Sequence, residues 1–576
     1  MIKRRSFFYF LAVSVVVLLL TGIGGCYWLV RGGPLTLLQG GTQATPEAAI
    51  FVPKQAPVMV SILVNPDRLE KLRQVVARPK QRRRSRQEID QIKTTLLANT
   101  GLDYRRDIQP WLGDEITVAV TTSDYDRDSY NGQQPGYLMA LATKDVEKSR
   151  EFLQLVFSKQ AIAPTDLEFE DYKGVNLVYH KARPQPEQIP KPLTKRILSG
   201  AVLGDRFVLL ANHPMVIKDA INNVQAPDLN LTTSSRYQQA LNQLPPRRLG
   251  LAFLNLPSVV SWQGIESAAQ YESQIIALEA NRKGLLTETT LLAASTSEVA
   301  STPELTKPVG ALQYIPATSG LAIAGTDLSN LNKTALSQLW TQVAHISTSG
   351  YDAISRLINQ PLANLQQRWG IDLAQDIFSW VQGEYALALL PHTDKLTADW
   401  VFVTEKSAAT AEGISRLDAL ARQRGYDITA LPLADQKIAA WTQLTTTPLA
   451  KANDSEENAI TIKAKVLGVH GTTDKYEILA TSVEAIDAAL KAYQDGSLLN
   501  DAKFQASIEA IPQPNAGYVY LDWIATQELL EHQLPVLKLV EVIVKPLFDN
   551  LRSLTVSSYG SEPGLLKGGV FFRLNS

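Results

Sequence analysis

The chain has 576 residues, 45% of them hydrophobic and 20% charged, which excludes bulk disorder and is too long for one ordinary core. With 56 basic against 57 acidic side chains the net charge is −1, so no global field draws it to nucleic acid. The single cysteine, Cys26, rules out an intrachain disulfide, and the six histidines stand singly, with no pair at metal-ligand spacing.

Residues 1–6 carry Lys3, Arg4 and Arg5, and residues 7–30, FFYFLAVSVVVLLLTGIGGCYWLV, form an uncharged run of 24. As a helix that run is about 36 Å long, against a hydrocarbon core of about 30 Å. Fourteen positions are Leu, Ile, Val or Phe, each worth up to about −0.3 to −0.6 kcal/mol near the bilayer centre, which outweighs Ser14, Thr21 and the glycines. Only Arg31 follows closely, so the positive-inside rule places residues 1–6 in the cytoplasm and the chain beyond about residue 31 outside it. Two readings share that orientation. In one, residues 7–30 are an uncleaved transmembrane anchor, with Tyr27 and Trp28 in the interfacial aromatic belt. In the other, 22-GIGGC-26 closes a lipoprotein signal. Either way, lipid is an expected partner through residues 7–30, and residues 31–45 are a linker.

The rest of the chain repeats itself. The entry 48-AAIFVPKQAP-57 recurs as 311-ALQYIPATSG-320, and 101-GLDYRRDIQPWLGDE-115 recurs as 370-GIDLAQDIFSWVQGE-384. Later, 205-DRFVLLAN-212 matches 474-DKYEILAT-481, 249-LGLAFLNL-256 matches 516-AGYVYLDW-523, and 284-GLLTETTLLA-293 matches 564-GLLKGGVFFR-573. Five matches in one order predict two similar lobes, 46–294 and 309–576. Residues 295–308, rich in Ser, Thr and Pro, are the linker between them.

Each lobe reads as a strand (58–64 or 321–327), helical sequence, a short Trp-bearing helix, two strands, a helix (145–157 or 408–424), further strands and helices, and a closing hairpin. Asp103 and Asp372 stand where a carboxylate caps free helix N–H groups. Ile108, Trp111 and Leu112, like Ile377, Trp380 and Val381, follow i, i+3, i+4 spacing and predict an apolar helix stripe. Ile116, Val118 and Val120 alternate as the inward face of the next strand, in phase with Tyr385, Leu387 and Leu389. Short connections between strands favour antiparallel pairing with helices covering one face, an α+β fold.

The entry motifs FVP (51–53) and YIP (314–316), the GLD…DI..WLGDE block at 101–115 and the strand 205–212 resemble the family catalogued as domain of unknown function 3352. The resemblance covers essentially the whole chain beyond the anchor; the second lobe departs from it, reading WVQGE at 380–384. It implies a cyanobacterial envelope or thylakoid setting and supplies no activity and no functional residues.

Asp107, Glu115, Asp376 and Glu384 recur in both lobes and could form acid–base pairs, but capping and strand ends explain them more simply. Trp111 and Trp380 read as buried anchors. Asp124, Asp126 and Asp128 have the spacing of a calcium loop's first ligands, yet Ser129 and Pro135 stand where Gly and the bidentate Glu belong. The run 78-RPKQRRRSR-86, with Arg78, Lys80, Arg82, Arg83, Arg84 and Arg86, has no counterpart in the second lobe and could meet anionic lipid head groups at about 1 kcal/mol per charge. No Walker, GxGxxG, GxSxG, HExxH or CxxC motif occurs, so no cofactor is implied. The sequence therefore predicts a membrane-anchored, non-enzymatic binding or scaffold protein, with an envelope or thylakoid membrane protein as partner and no nucleic acid. A carrier of an apolar ligand would need an apolar cavity of about 300–1,000 Å³. A hydrolase would need His213, His345 or another histidine beside a serine and a carboxylate.

Overall fold

The computed structural model describes residues 45–65, 102–128, 132–160, 167–180, 199–244, 248–263, 271–281, 283–293, 305–329, 370–392, 397–433, 436–448, 460–533, 550–560 and 564–574, with a few single positions besides. The apolar run 7–30 and the basic run 78–86 lie outside them, as does His345. Among the described residues no helix is long and apolar enough to cross a membrane. Two compact units are present, the first within Phe10–Ser297 and the second within Glu298–Glu562 together with Leu566–Leu574.

The first unit holds β1 (Val58–Ile62), β2 (Leu112–Thr122), β3 (Gly136–Thr143), β4 (Leu167–Tyr172), β5 (Val175–His180), β6 (Ser199–Leu203), β7 (Phe207–Ala211), β8 (Gly250–Asn255), β9 (Tyr271–Asn281) and β10 (Gly284–Ala293). Its helices are α1 (Val146–Gln160), α2 (Pro214–Gln225), α3 (Ser235–Asn242) and α4 (Leu256–Gln263). The strands pair in the order β4-β5-β6-β7-β3-β2-β1-β8-β9-β10, and each pairing is antiparallel.

Helices cover both faces of this sheet, not one as the sequence predicts. Leu138, Ala140 and Leu209 point to α2, where they bury Val216, Ile217, Ala220 and Ile221. Their neighbours Leu141 and Val208 point the other way, onto Trp111 and onto Phe152, Leu153 and Val156 of α1. The cause is the period of two along a strand: β3 and β7 are apolar at successive positions, so neither face can be left to solvent. The same fact corrects the predicted phase of β2 in part. Thr117 and Ala119 are buried as deeply as Val120, while Ile116 and Val118, predicted to face inward with it, are half-buried.

The second unit holds β11 (Leu321–Thr326), β12 (Glu384–Pro391), β13 (Ala398–Glu405), β14 (Asp427–Leu433), β15 (Gln436–Pro448), β16 (Ile460–Thr472), β17 (Tyr476–Ala480), β18 (Tyr518–Asp522), β19 (Leu551–Ser558) and β20 (Leu565–Leu574). Its helices are α5 (Ala408–Gln423), α6 (Val483–Asp495), α7 (Ala502–Ile508) and α8 (Trp523–Gln533). The antiparallel order is β14-β15-β16-β17-β13-β12-β11-β18-β19-β20. Position for position it is the order of the first unit. On β12, Tyr385, Leu387 and Leu389 are buried as predicted, and so are Ala386 and Ala388 between them.

Candidate functional site

The predicted short Trp helices are π-helical turns, Tyr104–Ile108 and Leu373–Ile377. Leu112 already belongs to β2, and Val381 is extended, so the i, i+3, i+4 stripe is not a helix face. What orders each turn is a ring of polar contacts around the tryptophan. Asp103 Oδ1 accepts the Arg106 N–H at 2.8 Å, Asp107 Oδ2 accepts the Asp103 N–H at 2.9 Å, and the Trp111 indole donates to the Asp107 carbonyl at 2.8 Å. Asp372 Oδ1 accepts from Ala374 and Gln375, Asp376 Oδ2 accepts the Asp372 N–H at 2.9 Å, and the Trp380 indole donates to the Asp376 carbonyl at 2.7 Å.

The glutamates that follow cap the entry turns. Glu115 takes the N–H groups of Glu47 (2.9 Å) and Ala48 (3.0 Å) at the start of the 3₁₀ turn Glu47–Phe51. Glu384 takes the N–H of Gly310 (2.9 Å) at the start of Gly310–Tyr314, together with the Tyr476 hydroxyl (2.7 Å). The Arg106 guanidinium, bonded to Asp107 at 2.7 and 3.0 Å, is the main reason that carboxyl is held at about 2, with Lys159 adding to it. Burial pushes the Glu115 carboxyl above its ordinary value against the opposing pull of Ala48, Thr117 and Glu47. Each of these repeated carboxylates is engaged with backbone N–H groups.

A cavity of about 590 Å³ opens elsewhere in the first unit. It lies where the end of β2 (Thr121, Thr122), the loop residues Asp124 and Arg127, one side of α2 and the first turns of α4 converge on the Pro53–Pro57 segment. The fold places α2 through its cap: His213 Nδ1 accepts the Met215 N–H at 3.2 Å, and Pro214 takes the first helical position, where no N–H is needed. Several wall groups have partners already. Asn223 donates to the Phe51 carbonyl, and Asn222 accepts from Tyr172 and Lys173. Asp219 has none among the described residues. It is half-buried, and burial pushes its carboxyl up while Arg127 opposes the shift. Sequence reasoning did not single out Asp219, Ser258 or Ser261. Each is an isolated polar residue on a helix, and only the hairpin folded opposite turns it into a wall.

That hairpin contains the candidate calcium ligands, and each of the three carboxylates accepts a backbone N–H. Asp126 Oδ1 accepts the Asp128 N–H (3.1 Å), Asp128 Oδ1 accepts the Tyr130 N–H (3.0 Å), and Asp124 Oδ1 accepts the Gln134 N–H (3.3 Å). The spacing builds successive side-chain turns in a loop. Among the described residues no group of three or more His, Cys, Asp or Glu gathers as a metal site.

Among the described residues, His213 and His392 have ring and hydrogen-bond partners other than serine. His213 stacks on Tyr125 with ring centroids 4.2 Å apart. His392 sits in an exposed hairpin, its Nε2 2.8 Å from Asp399 and its Nδ1 3.0 Å from the Thr397 hydroxyl. Ser482 donates to Asp399 at 2.7 Å and accepts the Ala485 N–H, which makes it the cap of α6. Burial raises the Asp399 carboxyl, but Thr481, Ser482 and His392 together hold it below its ordinary value. The order Thr397–His392–Asp399 is that of a triad, and Thr397 and His392 are exposed while Asp399 is buried.

No curated protein matches the chain. Among solved structures, crystal forms I and III of TP0453 are similar to it at 9% and 8% identity, each with a TM-score of 0.24 over 44% of this chain and 81% of that one. Form IV gives a TM-score of 0.21 at 10% identity, over 43% and 80%. Scores of this size carry no argument about fold or role. The family described as Protein of unknown function (DUF3352) matches residues 11–574, which contain both Trp turns and both capping glutamates, and the chain belongs to it.

Proposed function

We propose that this chain is a membrane-anchored, extracytoplasmic protein that works by contact rather than by bond-making, a binding or scaffold protein with two units descended from one duplicated ancestor. The observation that carries the reading is the fate of the repeated carboxylates. Asp103, Asp107, Glu115 and their counterparts Asp372, Asp376 and Glu384 all hold backbone N–H groups, so what the repeat preserves is architecture. The shared strand order of the two sheets supports the common ancestry. The apolar run 7–30 after Lys3, Arg4 and Arg5 supports the anchor and its orientation, and the basic run 78–86 supports contact with anionic head groups. The partner is a protein of the same membrane.

A purely apolar carrier fits less well, because carboxylates, amides and hydroxyls share the walls of the first-unit cavity with its prolines. The test is mild solubilisation of tagged protein from its own membranes, followed by affinity purification. A stoichiometric membrane-protein partner is expected, and a clean monomer at every detergent strength overturns the proposal.

A further inference from the structure

The cavity of the first unit has the size of a ligand site, within the usual range of about 300–1,000 Å³. Its walls divide by chemistry. Pro53, Pro57 and Pro257 supply rigid apolar surface, and Ser258 and Ser261 supply hydroxyls from α4. Asp124, Asp219 and Arg127 are the charged residues of the lining, which carries one more negative than positive charge. The two acids are not equivalent. Asp124 is held by the Gln134 N–H, whereas Asp219 projects from α2 with no hydrogen bond or ion pair among the described residues. A half-buried carboxylate whose charged neighbour, Arg127, makes no hydrogen bond or ion pair to it among the described residues is costly, and a cation brought against it recovers that cost. Arg127 does not fill the role, because it stands exposed at the rim in a left-handed backbone conformation, φ 58°.

We propose that this cavity is a binding site for a small organic cation, a protonated amine whose nitrogen pairs with Asp219 and whose carbon skeleton lies against the three prolines. The site belongs to the first unit alone and stands whether or not the chain recruits a protein partner.

The test uses the full chain in a non-ionic detergent and three probes of one shape: cyclopentylamine, cyclopentanol and cyclopentanecarboxylate, titrated at pH 7.5 by ligand-observed NMR. Cyclopentylamine is expected to bind at least tenfold more tightly than either of the others. Asp219→Asn is expected to remove that preference and to leave Tm unchanged, while Asp495→Asn, an exposed acid of the second unit, leaves it intact. Ser261→Trp, which obstructs the rim without touching the charge, is expected to weaken all three probes together. Equal binding of amine and alcohol, preference for the carboxylate, an amine preference that survives Asp219→Asn, or no binding of any probe each overturns the proposal.

Discussion

At the scale of single residues, the molecule uses its acids as structural clamps, and two predictions follow from their chemistry. Asp107 is the clearer case. Its carboxyl titrates at about 2 in the folded chain against an ordinary 3.8, chiefly through the Arg106 guanidinium. A folded pKa below the unfolded one contributes stability that is present above about pH 4 and is lost as pH falls toward 2. Unfolding free energy measured between pH 4 and pH 2 is therefore expected to fall more steeply for the native chain than for Asp107→Asn, and equal slopes would remove Asp107 from the account. Glu115 makes a second case. Glu115→Ala strips the acceptor from the N–H groups of Glu47 and Ala48, and Ala48 is fully buried. An unsatisfied buried donor costs about 1–3 kcal/mol, so the variant is expected to unfold at correspondingly lower urea. A loss well below 1 kcal/mol would mean that water replaces the carboxylate.

At the scale of elements, most strands and helices are legible in the sequence, and the errors have one physical origin. The caps Asp103 and Asp372 are readable because an acid ahead of a helical turn answers a local need, the free N–H groups that follow it. The phase of β2 and the form of the Trp turn are not local. Ile108, Trp111 and Leu112 imitate a helix stripe, but the wider π turn and the immediate start of β2 send Trp111 and Leu112 into the same cluster by another route. Likewise, alternation predicts one inward face for β2, while covers on both faces bury Thr117 and Ala119 on one side and half-bury Ile116 on the other. The cavity was the least legible, since Asp219 acquires its meaning only from the hairpin that closes over α2. Packing around the second tryptophan gives a direct test. A Cβ at Gly413 of α5 would lie 2.5 Å from the Trp380 ring. Gly413→Ala improves helix propensity by about 1 kcal/mol, yet overpacking costs about 1–3 kcal/mol, and more when the obstacle is a buried ring held by its own hydrogen bond. Net destabilisation, with a change in tryptophan fluorescence, is the expected result, and a more stable variant would show that α5 does not seat on Trp380.

At the scale of the whole molecule, the question is what residues 7–30 do for everything that follows. In the anchor proposed above, fourteen Leu, Ile, Val and Phe side chains would contribute together about −4 to −8 kcal/mol to insertion. In the lipoprotein reading the apolar run is cleaved away and the acyl chains on Cys26 hold the chain instead. The two mechanisms part on one atom, the Cys26 sulfur. An uncleaved anchor has no need of it, so Cys26→Ser is expected to leave both the mass of the mature chain and its retention after alkaline carbonate washing unchanged. A chain lacking residues 1–31 should move to the soluble fraction. In sealed vesicles of known orientation, added protease is expected to reach the two units only from the non-cytoplasmic side, the orientation that the positive-inside rule predicts from Lys3, Arg4 and Arg5. A mature chain that begins at Cys26 and carries added lipid mass, both lost in Cys26→Ser, would establish the lipoprotein instead, and digestion from the cytoplasmic side would leave the contact proposed for the two units without its compartment.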